Sequence, residues 1–153
     1  STRALTIRRI EGGILGNGTD LTPDMTPFEA GLAPFVNMEK GNFIGRNALL
    51  SKDKRCCLFG LTCATETPAG GSLIFDGKTE VGRVTAGVPS PTLGLGIGYV
   101  RFNEPGNWVG RTLAMHFNDS SEHEVEIVKP PFFDPDRKIV RGLDRSIPER
   151  PAI

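Results

Sequence analysis

Charge of one sign is not in excess here. Lysine plus arginine number 18 and aspartate plus glutamate also number 18. A nucleic-acid partner usually meets a basic surface, so none is expected. No apolar run nears the roughly 20 residues that cross a bilayer, so no membrane partner is expected either. Ser1 to Ile10 carries Arg3, Arg8 and Arg9 and no continuous apolar stretch, which does not read as a signal peptide. Cysteine is scarce: Cys56, Cys57 and Cys63. An odd count with two neighbours suits neither a disulfide framework nor a metal clip. These read as reduced strand cysteines in a reducing, cytoplasmic setting. His116 and His123 show no metal-ligand spacing with them, so no metal site is expected. No serine or cysteine stands in a nucleophile frame such as G-x-S-x-G.

Glycine (19) and proline (12) are plentiful and punctuate short segments, which favours strands and turns over long helices. Leu5, Ile7 and Ile10 read as an extended segment running into the cluster Gly12, Gly13, Gly16 and Gly18. Thr26-Pro27-Phe28-Glu29 reads as a helix start. Thr26 can cap, Pro27 suits the first helical position, and Glu29 can reach back to the cap amide. Gly31 then stops that helix early. A second helix is expected from Asn42, with Phe43, Ile44, Ala48 and Leu49 at helical spacing and Lys52, Lys54 and Arg55 at its end.

From Arg55 the period becomes two. Cys57, Phe59, Leu61 and Cys63 share one strand face. Leu73 to Phe75 leads through Asp76-Gly77, a hairpin signal, into Thr79 to Val88. Gly82 inside that strand predicts a bulge or a close backbone approach. Ile97 to Phe102 is another strand. Leu113, Met115 and Phe117 alternate, turn at Asn118-Asp119, and return through Val125 and Ile127, with His116 turned to solvent. About six short strands in roughly 75 residues suit a small Greek-key barrel or sandwich. Pro130-Pro131 ends this region, and the tail to Ile153 is either a docked arm or a loose terminus.

Neither glycine cluster has phosphate-loop or dinucleotide spacing. Gly94, Gly96 and Gly98 fit tight turns and close backbone packing better. Arg8, Arg9 and Glu11 are charges in an otherwise apolar segment. Strand alternation would set Arg9 and Glu11 on one face and Arg8 and Ile10 on the other. Arg9 with Glu11 fits a structural ion pair better than the alternative, a fork that holds a polar ligand.

Arg9-Ile10-Glu11-x-Gly13, Gly18-x-Asp20 and Thr26-Pro27-x-Glu29-Ala30-Gly31-Leu32 together resemble the glycine cleavage T-protein (aminomethyltransferase) family. So do Lys40-x-x-Phe43-Ile44-Gly45-Arg46-x-Ala48-Leu49, Gly82 to Gly87, Ser90-Pro91-Thr92-Leu93-Gly94 and Ile97 to Val100. The blocks keep the family's order between residue 3 and about residue 133. The wording Ile7 to Gly13 is similar to a demethylase-like branch.

The resemblance implies a mainly β fold: a small six-stranded Greek-key β-barrel preceded by an α+β segment belonging to a truncated folate-binding domain. It divides the chain into residues 1–52 (the end of the central folate-binding domain), 53–129 (the barrel) and 130–153 (a C-terminal arm). It implies the C-terminal portion of an enzyme that moves a one-carbon unit from an amine, ether or sulfonium donor to tetrahydrofolate. The catalytic aspartate and most folate contacts of the family lie in an N-terminal half that this sequence lacks, so no catalytic residue is assigned and the chain alone is expected to be inactive. Arg3, Arg9, Glu11, Asn17 and Arg137 are the candidate folate-binding residues. Arg3 lies nearest a folate-contacting arginine of the family, at an offset about two positions different. Asn17 replaces a tyrosine common before the motif glycine, and Arg137 follows the barrel. The implied partners are folate, a small methylated or aminomethyl donor and the missing N-terminal half. An exposed apolar patch in residues 1–50 would also let the isolated chain form a homodimer. The rival reading is a non-catalytic β-barrel module for interaction or stabilisation.

Overall fold

The computed structural model describes residues 1–117 and 121–146 of the chain. Six strands, β1 (Leu58–Cys63), β2 (Leu73–Asp76), β3 (Thr79–Ser90), β4 (Leu95–Phe102), β5 (Thr112–His116) and β6 (Glu122–Val128), close an antiparallel barrel in the order β1-β4-β3-β2-β5-β6. β2, β3 and β4 follow one another as neighbours, and β1 lies beside β4 and β6. That is Greek-key connectivity, and closure removes the free sheet edges that would invite aggregation.

Alternation fills the interior. Phe59, Leu61 and Cys63 of β1 meet Ile74, Val84, Val100, Phe102, Leu113, Met115, Val125 and Ile127 in one buried cluster. The Asp76-Gly77 hairpin forms, with Asp76 paired to Thr79 and Gly77 at φ 61°. Gly82 meets both expectations. The β2–β3 register slips between Ile74 and Phe75, and a Cβ on Gly82 would stand 2.7 Å from the Arg101 carbonyl oxygen. Gly96 and Gly98 likewise lie where other backbone crosses closely: a Cβ on Gly98 would be 2.5 Å from the Ala86 oxygen. His116 stays out of the core, half-exposed, stacked on Phe75 and 3.2 Å from Glu122. The turn expected at Asn118-Asp119 lies outside the described residues.

β4 is buried on both faces. Its outward residues Ile97 and Tyr99 join Leu58, Val88 and Ile10 in a second cluster outside the barrel. That second core exists because residues 1–25 are folded against this wall.

Here the structure corrects the strand expectation. Thr2–Glu11 is a helix, α1, packed on β3 and β4, and among the described residues the segment before the barrel holds no strand, only an isolated bridge between Asn17 and Leu21. Ile7 and Ile10 are three apart, so a helix puts both on the barrel side while Leu5 stays exposed. The helix closes in a Schellman turn: Gly13, at φ 74°, donates to the Ile10 carbonyl and Ile14 to that of Arg9. The Thr26/Glu29 capping box is complete. The Thr26 amide donates to Glu29 Oε2 (2.7 Å) and the Glu29 amide to Thr26 Oγ1 (3.2 Å). Gly31, at φ 73°, ends it after a single turn, short of a regular helix. The second helix, α2 (Arg46–Leu50), is shorter than expected, because Gly45 enters it in a left-handed conformation and leaves Phe43 and Ile44 outside.

Candidate functional site

Between α1 and the barrel lies a polar junction built on two buried carboxylates. Asp20 is 1% exposed. Its Oδ2 accepts from Arg9 Nη1 (2.9 Å) and the Gly16 amide (2.7 Å), and its Oδ1 accepts from Thr85 Oγ1 (2.5 Å). Thr85 sits where the β3–β4 register slips between Val84 and Ala86. A bulge re-aims side chains. The three donors belong to α1, the loop after it and β3, so one carboxylate ties three elements together.

Glu11 is the second carboxylate, 2% exposed. Ser90 Oγ donates to its Oε1 at 2.6 Å, while its Oε2 finds no hydrogen-bond partner among the described residues and lies 3.5 Å from Arg8 Nη1. The backbone carbonyl of Glu11 accepts from the amides of Phe132 and Phe133. The start of the C-terminal segment is therefore a docked arm: Phe132 packs 5.8 Å from Tyr99, centroid to centroid. Tyr99 is wholly buried, its hydroxyl directed at the carbonyls of Ile10 and Ile14. Burial pushes its phenol well above the usual range, and the nearby Asp20 charge adds to this. Around the rim, Arg101 binds Asp24 (2.6 Å) and Thr22, and its guanidinium holds the Asp24 carboxyl down at about 2.

The helix redistributes the sequence-predicted residues. Arg9 and Glu11 do not share a face as strand alternation required; two helical positions apart, they point to different partners, Asp20 and Ser90. Arg8 and Glu11 are the pair on one side. Both Arg9 and Glu11 are engaged within the chain. Arg3 is exposed on α1, and Asn17 is exposed between Gly16 and Gly18 at the tip of the loop that Asp20 anchors. Arg137 is exposed on the arm, at φ 54°, apart from that loop in sequence and element. Asp20, Thr85 and Ser90 were not singled out as site residues from sequence. Each stood inside a quoted motif block, but only the fold shows that they meet. An open cleft of about 300 Å³ lies beyond Ser90, between residues 64–67 and 89–96, with Gly94 and Gly96 on its wall.

The barrel residues match a family model. Residues 54–134, more than half of the chain, match the glycine cleavage T-protein C-terminal barrel domain. The chain belongs to the glycine cleavage T-protein family. It is 34% identical over 134 residues to an aminomethyltransferase of Streptomyces coelicolor, an alignment that covers 82% of this chain and 36% of that protein. It is 39% identical over 92 residues to an aminomethyltransferase of Aquifex aeolicus, covering 60% of this chain and 26% of the relative. The crystal structure of glycine cleavage system aminomethyltransferase T from Bartonella henselae superposes with a TM-score of 0.74 and 27% identity, over 86% of this chain and 38% of that one. The chain thus spans about a third of the length of the T-protein relatives it matches. Among its described residues no helix is long and apolar enough to cross a membrane.

Proposed function

We propose that this chain is the C-terminal portion of a tetrahydrofolate-dependent aminomethyltransferase or demethylase. It contributes one wall of a folate cavity and the barrel that backs it. The observation that carries this reading is the T-protein barrel with α1 and the 12–25 loop fixed to its outer face by Asp20 and Glu11. In this reading Arg9 and Glu11 hold the wall, because their charged groups are already engaged within the chain. Arg3 and Asn17 are the exposed donors toward folate, and Arg137 reaches its acidic tail. Bound tetrahydrofolate supplies the nitrogen that accepts the one-carbon unit. The donor is a small amine, ether or sulfonium compound, and the wording of residues 7–13 favours the demethylase-like branch. The setting is cytoplasmic.

The rest of the cavity comes from the N-terminal portion that the relatives carry. Leu5, Phe35, Ile44 and Leu50 are exposed at 73%, 83%, 103% and 49%. Apolar surface of that extent supports a covered face. In the isolated chain the same face would pair two copies.

In the complete polypeptide that contains this segment, calorimetric titration is expected to show tetrahydrofolate binding, with turnover of one donor class. Arg3→Ala should weaken binding roughly tenfold, the scale of one lost charged hydrogen bond. Unchanged affinity removes Arg3 from the site. Absence of any folate binding by the complete protein favours the non-catalytic barrel module instead, a reading consistent with the internal engagement of Arg9 and Glu11.

A further inference from the structure

We propose that Thr85, acting through Asp20, is a positioning residue that sets the loop carrying Asn17. The barrel then fixes the geometry of the ligand wall besides backing it. The inference rests on the folate reading above.

The connection is short and closed at every step. Thr85 Oγ1 donates to Asp20 Oδ1 at 2.5 Å, and the other oxygen of the same carboxylate receives the Gly16 amide at 2.7 Å. Gly16 in turn accepts the amides of Asp20 and Leu21, and Gly18 donates to Leu21. The loop from 16 to 21 is therefore a small hydrogen-bonded ring with Asn17 on its rim. Little slack remains: a Cβ on Gly16 would lie 2.5 Å from Thr19 Oγ1 and 3.2 Å from Asp20 Oδ2. Asp20 is out of reach of water, so a lost donor is not replaced by solvent and the carboxylate must shift to find another. Arg9 alone cannot hold the position, because it anchors the loop only to α1. Thr85 is the member that belongs to the barrel, and the register slip at Val84/Ala86 marks its place on β3.

The test uses the complete polypeptide. Thr85→Val keeps the shape and removes the donor. We expect the Kd for tetrahydrofolate to rise roughly fivefold to tenfold, on the scale of one buried hydrogen bond. Thr85→Ser, which keeps the hydroxyl, should restore affinity. Asn17→Ala should also weaken binding, and the double variant Thr85→Val/Asn17→Ala should bind no worse than the weaker single one, the mark of coupled residues. If Thr85→Val does not fold, Thr85→Ala takes its place with the same expectations. Unchanged Kd with a lowered melting temperature would make Thr85 merely structural and overturn the proposal, as would additive losses in the double variant. If the unmodified protein binds no folate, the underlying functional reading fails instead, and the two failures are distinguishable.

Discussion

Asp20 is buried, and an arginine, an amide and a hydroxyl converge on its carboxylate. Asp20→Ala would take the shared acceptor from Arg9, the Gly16 amide and Thr85 together. Arg9 is a quarter exposed and keeps the Ile14 carbonyl, so the loss falls mainly on the Gly16 amide and Thr85, at about 1–3 kcal/mol for each donor left unpaired, and thermal unfolding should report it. The exposed Asp53–Arg55 pair (2.6 Å) is the control, and its removal should leave the melting temperature unchanged. Glu29 offers a pH test. The Thr26 backbone amide, and then its hydroxyl, hold the Glu29 carboxyl below its ordinary value. A depressed acid contributes stability that is present above its unfolded value and is lost as pH falls through its folded one. Stability should therefore decline below about pH 4, where free glutamates protonate. Glu29→Gln should flatten that limb in acid denaturation followed by circular dichroism. The residue types at these positions were visible in the sequence, but their partners were not. Thr26 and Glu29 are three apart, and the chain decides their contact. Asp20 and Thr85 are 65 apart, and only the fold does.

At the scale of elements, the barrel strands were legible and α1 was not. Each barrel strand buries one face inside, so its apolar residues alternate over a useful length. In α1 the deciding residues are Ile7 and Ile10, whose spacing of three fits a helix, while Leu5 and Ile7, two apart, suggested a strand although Leu5 stays exposed. Gly12-Gly13 was the missed signal, since a glycine pair directly after a possible helix is also a helix stop. The arm can be tested directly. A Cβ on Gly60 would lie 2.8 Å from the Phe132 ring, which covers that strand. Gly60→Ala and Phe132→Ala should each release the arm, the latter at about 1–3 kcal/mol. Limited proteolysis should then cut near residue 133 faster than in the unmodified chain.

For the whole molecule, two cores share β1, β3 and β4, one inside the barrel and one beneath α1. A chain starting at residue 53 keeps the first core and uncovers Leu58, Val88, Ile97 and Tyr99. It should bind a hydrophobic dye and melt at a lower temperature. Tyr99 gives a spectroscopic check, being the only tyrosine in the chain. Its phenol is raised by burial, so the stability it confers is complete below about pH 10 and fades as pH rises past that value. In the truncated chain, ultraviolet titration should find that phenol back near its ordinary range. A phenol that stays raised would show that α1 is not what buries it.

By itself the sequence determined the barrel, its Asp76-Gly77 hairpin, its glycine crossings and the family, because each of these rests on neighbours in the chain or on a repeated period. The tertiary structure alone decided that residues 2–11 form a helix, that Arg9 and Glu11 face apart, and that Thr85 and Ser90 donate to the two buried carboxylates. The physical reason is distance along the chain. A buried charge takes whatever donor the fold brings within about 3 Å, and local pattern carries no record of which donor that will be.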